Sequence, residues 1–254
     1  MQTSHEQGPH RDGDTVIRQA FPWTPSVHAL LATLREYGFT AAPAPISFDA
    51  TWERVSYLPG ATGDLDSSGE MRTEKALRSA AILLRHYHDC SAPLLPRLEK
   101  ECVWQLSFRE PAEVICHGDF APYNVVLNDG EVTGIIDFEA AHPGPRSWDI
   151  AYAIYRWAPL SSDIGVEGLS RLEDQIRRAR IFVDAYGMAT ADRRLVPETI
   201  VVRLEALLAF MEQQASLGLE RYRQNLRDGH DRIYRRDITY LLKSSLEIVA
   251  GLVE

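Results

Sequence analysis

Lysine is almost missing from this chain of 254 residues: of 27 basic side chains only Lys75, Lys100 and Lys243 are lysines, and none precedes residue 75. Any cationic chemistry in the first 74 residues is left to arginine, whose rigid planar fork does not replace a compact ammonium at a close phosphate site. Positive charge as a whole is in deficit, since 36 acidic residues bring the net charge to −9. That balance excludes nucleic acid held through a broad phosphate-contacting face, which needs a basic surface to release counterions. Small polycations stay open as partners. The Arg-rich stretch from Arg171 to Arg236 does not reverse this, because its arginines interleave with acids on helices and read as solvated faces.

Long hydrophobic runs are missing as well. No segment approaches the ~18 uninterrupted apolar residues that cross a bilayer. The polar start, Met1–Asp14, lacks the apolar core of a signal peptide. A cytoplasmic protein without membrane or nucleic-acid partners is expected. Cysteine is scarce: Cys90, Cys102 and Cys116 are odd in number and lack C-x-x-C spacing, so free thiols are expected in place of disulfides or zinc ligands. Repeats and low-complexity segments are absent. What is present is 45% hydrophobic residues in a length suited to one or two packed domains.

Residues 1–15 read as a loose start or a short edge strand, followed by an extended Thr15-Val16-Ile17. A helix is predicted from about Ser26, with Leu30, Leu31 and Leu34 on one face, ending at Gly38. Ile46, Phe48, Val55 and Tyr57 alternate as in a hairpin. The Pro59-Gly60 pair marks a boundary between units 1–60 and 61–254. Ser67 and Glu70 have capping-box spacing before a helix running to about His88. Val114-Ile115-Cys116 reads as a buried strand. Val125–Leu127 and Val132–Ile136 read as a hairpin closed at Asp129-Gly130. Helices are predicted from Ser147, as cap, to Trp157, over 170–186, from Pro197, and from Ile233 to Val249.

The densest group of chemically capable residues is His117-Gly118-Asp119-Phe120-Ala121-Pro122-Tyr123-Asn124, followed by Ile135-Ile136-Asp137-Phe138-Glu139. It sets Asp119 and Asn124 on a loop after one strand and Asp137 at the end of the returning hairpin strand. Hard oxygen donors of this kind suit Mg²⁺, which takes one or two carboxylates and fills its shell with water and phosphate oxygens. The remaining carboxylate is placed to orient or deprotonate a hydroxyl. Turn-forming Asp and Asn and a core histidine are the alternative reading, but turn chemistry does not account for the second aspartate after an apolar strand.

HGDxxxxN followed by IIDFE resembles the aminoglycoside phosphotransferase and choline kinase-like small-molecule kinases, distant relatives of the protein kinases. The resemblance implies Asp119 as catalytic base, Asn124 and Asp137 as Mg²⁺ ligands, and His117 as a support of the loop. Pro145-Arg146-Ser147-Trp148-Asp149-Ile150-Ala151 is similar to the family segment whose aspartate braces that loop, which gives Asp149 a supporting role, with helix capping as the alternative. Glu139 is read as structural or solvated in preference to a second metal ligand. Ser56-Tyr57-Leu58-Pro59-Gly60 is similar to the segment joining the lobes, implying that Tyr57 and Leu58 meet the adenine of ATP.

The implied fold is α+β and two-lobed, protein-kinase-like, with a reduced small lobe (1–60) and a mainly helical large lobe (61–254). The implied activity is ATP- and Mg²⁺-dependent transfer of the γ-phosphoryl group to a hydroxyl of a small molecule, an aminoglycoside or another amino alcohol or sugar. The acceptor pocket is expected between the catalytic loop and the C-terminal helices. The chain departs from the family pattern at one place. Arg18 stands where a phosphate-binding lysine is expected, and the following helix offers Val27 and His28 where the lysine's glutamate partner belongs. No carboxylate for Arg18 is evident nearer than Glu36, and Gly8 and Gly13 read as a flexible terminus in preference to a remnant of a phosphate-covering loop. A pseudokinase-like binding or regulatory protein is therefore the alternative.

Overall fold

A computed structural model describes residues 8–99, 102–162, 164, 166 and 168–254; residues 1–7 of the expected loose start lie outside the described residues. Strand β1 (His10–Asp12) turns at Gly13, where φ is 58°, into β2 (Thr15–Gln19). Gly13 is thus the turn of a paired hairpin. Helix α1 (Thr24–Glu36) begins two residues before the predicted Ser26, because Pro25 fits the first helical turn, whose amides need no partner. Strands β3 (Pro45–Phe48) and β4 (Trp52–Ser56) complete an antiparallel sheet in the order β1-β2-β4-β3. Its register sets Val16 opposite Val55 and Arg18 opposite Glu53.

Helix α2 (Glu74–Ser91) starts later and ends later than its sequence pattern predicts. Thr73, not Ser67, is the cap: its hydroxyl accepts from the Ala76 amide at 3.2 Å. The Ser67 hydroxyl is already taken by the Asp64 amide at 3.0 Å, so the Ser67–Glu70 box does not form. Then come β5 (Val114–Cys116), β6 (Val125–Asn128), β7 (Glu131–Ile135) and β8 (His142–Gly144). β6 pairs with β7 as predicted, whereas the β5–β8 pair was hidden by a Pro-Gly sequence that reads as a turn.

The remainder is helical: α3 (Arg146–Trp157), α4 (Leu172–Tyr186), α5 (Thr190–Arg193), α6 (Val196–Ser216), α7 (Glu220–Arg227) and α8 (His230–Val253). Ser147 does not cap α3; it sits inside the first turn, and extended Pro145 occupies the cap position. α7 was not anticipated, since six of its eight residues are charged or amide side chains and only Tyr222 is buried.

One apolar cluster joins the two parts of the chain. Leu30, Leu31 and Leu34 of α1 belong to it together with Leu77 and Leu84 of α2, Ile135, Ile154 and Leu204. Complete burial of each such leucine is worth about 1.5–3 kcal/mol. Backbone bonds fix the sheet-bearing part against the β6–β7 hairpin: Ala61 exchanges hydrogen bonds with Leu127 (2.9 and 2.8 Å), and the Ile135 amide donates to the Ala41 carbonyl at 2.8 Å. These contacts bring β2 over the end of β7.

Candidate active site

The loop after β5 depends on glycine. Gly118 has φ of 81°, and a Cβ there would run into the Ala140 carbonyl, so no other residue fits between His117 and Asp119 without displacing backbone. Asp149, buried in α3, holds this turn: its carboxylate accepts from the His117 amide at 2.6 Å and the Gly118 amide at 2.9 Å. It also accepts from Nε2 of buried His88 at 3.0 Å, and His88 Nδ1 accepts from the Tyr186 hydroxyl at 2.7 Å. Burial pushes Asp149 up and His88 down, but the hydrogen bonds on Asp149 prevail and hold it at about 2, beside a neutral imidazole. Asp149 therefore binds the loop, not the helix end that a capping role would require.

His117 connects the loop to the second motif. Its Nδ1 accepts from the Asp119 amide at 3.3 Å, and Nε2 donates to the Ile136 carbonyl at 2.9 Å. Both ring nitrogens are thus committed to backbone. Asp119 itself is partly buried, with Oδ1 accepting from the Tyr123 hydroxyl (2.9 Å) and Oδ2 from the Asn124 amide (2.8 Å). Burial pushes its carboxyl above the usual range, and Asp137 acts in the same direction against His117 and the tyrosines. Asn124 gives a second hydrogen bond to the Asp119 carbonyl at 2.9 Å, leaving its amide oxygen to accept.

Asp137 follows β7 in the left-handed region (φ 62°, ψ 69°), a strained conformation for a residue other than glycine, of the kind that gathers at functional sites. Its side chain is 45% exposed and takes Arg18 Nη1 at 3.2 Å. The same guanidinium donates from Nε to Glu53 at 2.6 Å, and the other oxygen of buried Glu53 accepts from His28 at 3.0 Å. Arg18 therefore does have a carboxylate. It lies directly across the sheet on β4, not on the following helix, and His28 supports it from that helix. Burial raises the Glu53 carboxyl, but His28 and Arg18 outweigh it and keep the group ionised.

A cavity of about 370 Å³ opens between this loop and α6–α8, bordered by Asp119, Asp137, Arg203, Tyr222 and Tyr234. Glu139 at its edge meets Arg221 at 3.3 Å. Tyr57 and Leu58 do not border this cavity: the Tyr57 amide donates to the Asp14 carbonyl at 2.8 Å, closing the sheet, and Leu58 lies over Gly134, 3.0 Å from where a Cβ would stand. Cys90 and Cys116 are buried free thiols, and Cys102 is a half-buried one.

The profile of the phosphotransferase enzyme family matches residues 94–194, which include both motifs. The Trifolitoxin immunity protein of Rhizobium leguminosarum bv. trifolii is 30% identical over 192 residues, covering 72% of this chain and 71% of the relative. The chain belongs to the phosphotransferase enzyme family. An amicoumacin kinase solved with AMP-PNP, Ca²⁺ and Ami shares the fold, with TM-score 0.62, 11% identity, and 87% and 84% of the two chains covered. So does a choline/ethanolamine kinase family protein from Mesorhizobium loti, with TM-score 0.60, 15% identity, and 96% and 88% covered. The fold is accordingly the α+β arrangement of small-molecule kinases, with a mainly helical C-terminal part.

Within this family frame, sequence alone missed Glu53, His28, Tyr123 and Arg203. Tyr123 had a local signal, four residues after Asp119 within one motif. Glu53 needed the strand register, and Arg203, whose Nη2 donates to the Gly118 carbonyl at 2.6 Å from α6, had none.

Among the described residues, no three His, Cys, Asp or Glu gather as a metal cage. An ion carried in on phosphate needs only one or two protein oxygens. The Asn124 amide oxygen and the half-exposed Asp137 carboxylate are hard donors that fit such an ion.

Proposed function

We propose that the protein transfers the γ-phosphoryl group of ATP to a hydroxyl of a small molecule bound in the cavity beside Asp119. The observation that carries this reading is the pair of hydrogen bonds that fixes both Asp119 oxygens at the cavity edge while burial raises its basicity. A carboxylate so held orients the acceptor hydroxyl and takes its proton as the phosphorus–oxygen bond forms. Asn124 and Asp137 would hold Mg²⁺, which supplies charge neutralisation on the phosphates. Arg18 leaves Asp137 for the phosphate oxygens and keeps Glu53 as its anchor. His117 and Asp149 hold the loop geometry through the reaction. Tyr57 and Leu58 line the adenine side, and the lobes meet near residue 60.

The Arg18–Asp137 contact also favours a second reading, in which the guanidinium stays on the metal aspartate and the protein binds its ligand without turnover. Thermal unfolding with and without Mg²⁺–ATP separates the two. Binding to the native state raises stability by RT ln(1 + [L]/Kd), about 2.7 kcal/mol at a hundredfold excess over Kd. An increase in Tm together with ADP release on adding alcohols is the expected result; no shift at millimolar Mg²⁺–ATP refutes the kinase reading.

A further inference from the structure

The lining of the cavity includes two arginines, Arg109 and Arg203, that no acid answers among the described residues, and Arg203 reaches the catalytic loop through a 2.6 Å hydrogen bond from Nη2 to the Gly118 carbonyl. Arg203, 5% exposed on α6, stacks its guanidinium 4.7 Å from the Tyr152 ring and 5.2 Å from the Trp148 ring, and its Nε is buried without a partner. Arg109 stacks on Trp148 at 4.2 Å. Burial, and then Arg203, push its guanidinium down, as expected for neighbouring cations without a counter-ion. The indole Nε1 of Trp148 is likewise buried and unpartnered. Neither arginine takes part in any ion pair among the described residues. Other arginines around the site each have an acid: Arg18 has Glu53, Arg156 has Asp64 at 3.3 Å, and Arg221 has Glu139.

The acids bordering the cavity are equally informative. They are Asp119, Asp137 and Glu139, and each is engaged, by Tyr123 and Asn124, by Arg18 and by Arg221 respectively. A polycationic acceptor would find no uncommitted carboxylate among the described lining residues and would face two guanidiniums without an acidic partner, Arg203 having only the Gly118 carbonyl on Nη2. An anion would find the reverse. The fork of Arg109 matches a carboxylate or phosphate in a bidentate manner, and stacking on Trp148 already fixes its plane, while Arg203 adds a second positive charge beside it.

We infer that the acceptor is an alcohol bearing an anionic group, a carboxylate or a phosphate, which Arg109 and Arg203 hold against Trp148 while its hydroxyl faces Asp119. This deepens the phosphotransferase reading and rests on it for the role of the hydroxyl. It shifts the expected substrate class away from aminoglycosides towards hydroxy acids or phosphorylated alcohols.

The test uses four matched alcohols on the full chain without nucleotide: 3-hydroxypropanoate, 3-hydroxypropyl phosphate, 3-aminopropan-1-ol and 1,3-propanediol, with kanamycin as a polycation. Thermal unfolding is expected to show stabilisation by the carboxylate or the phosphate at millimolar concentration and by none of the others. Which of the two acts identifies the anion. Arg109→Gln should weaken that binding at least tenfold and Arg109→Lys less, while the KM for ATP stays near its wild-type value. Because Arg109 is half-buried and does not touch the Gly118 carbonyl, its variants keep the test valid even where Arg203→Met does not fold. Equal or stronger stabilisation by the amine or kanamycin overturns the inference. So does an unchanged shift in Arg109→Gln, absence of any shift with both anions, or a rise confined to the KM for ATP, which would assign the arginines to the nucleotide. Failure to bind Mg²⁺–ATP, read in a separate titration, would instead remove the kinase reading and leave the anion result standing.

Discussion

The two charged clusters of the site, one around Asp119 and one around Arg18, are built differently. Around Asp119 the supports are buried and redundant: Asp149, His88, His117 and Arg203 all fix one turn, and most of their hydrogen bonds end on backbone. Around Arg18 the support is a single cross-strand carboxylate with one histidine behind it, and the guanidinium is 21% exposed and shared with Asp137. The first cluster is a fixed frame for chemistry. The second is an ion pair that has to rearrange when phosphate arrives. Loss of a member should therefore cost turnover or folding in the first cluster and nucleotide affinity in the second.

The sharpest break of this contrast is Asp119→Asn. The amide keeps the size of the side chain and removes the base, so kcat should fall by about 10²–10⁴ with Tm nearly unchanged, measured by ADP release and thermal unfolding. Full turnover would remove Asp119 from the chemistry. Asp149→Ala should act on stability instead. It leaves two buried amides and His88 without their acceptor, at a cost of about 3–5 kcal/mol in denaturant unfolding. A loss under about 1 kcal/mol would mean that the loop holds its shape without this brace.

Acid should weaken the frame before it touches the sheet pair. His142, buried on β8, is pushed down to about 4 by burial, with Arg203 and Arg109 adding to it against a hydrogen bond to Ala140. Its unfolded value is about 6.5. Between these values the unfolded chain binds the proton and the folded chain does not, so stability falls as pH drops from about 6.5 to 4, by about 3 kcal/mol. His142→Gln should flatten that part of the pH–stability curve; a slope as steep as wild type would assign it to His88 and the carboxylates. Glu53→Gln tests the second cluster. Removing the charge frees Arg18 to settle on Asp137, and the KM for ATP should rise about tenfold, ~1.4 kcal/mol, with the acceptor KM unaffected. A change in Tm alone would leave Arg18 and Glu53 as a structural pair.

The same contrast explains what was legible in the sequence. Asp119, Asn124 and Asp137 lie within 19 residues on one loop and hairpin, and local spacing alone brought them to one place. The β6–β7 hairpin was readable from Asp129-Gly130, since both residues take the positive φ that such a turn needs. Glu53 is 35 residues from Arg18, and only the antiparallel register makes them neighbours. α1 offers Arg18 no carboxylate because the ion pair lies within the sheet and not between helix and sheet. Arg109 and Arg203 are farther apart still and meet only through Trp148. Charge counting placed Arg203 among solvated arginines, whereas packing of α6 against α3 buries it.

Helix caps give the smallest effect and the cleanest comparison between pattern and structure. Ser67 has the better capping signature, with Glu70 three residues on, yet its hydroxyl serves the Asp64 amide in a turn ahead of the helix. Thr73 lacks a Glu or Gln three residues on but accepts from Ala76 and sets the first turn of α2, the helix that delivers His88 to Asp149. Thr73→Ala should cost about 1 kcal/mol in denaturant unfolding, the usual value of an N-cap. Ser67→Ala should cost less, because the bond it loses is in an exposed turn. If Ser67→Ala proved the more damaging, the helix would start where the capping box predicts. The reach of α2 to the catalytic loop would then depend on local sequence and not on the tertiary packing that buries Leu77 and Leu84.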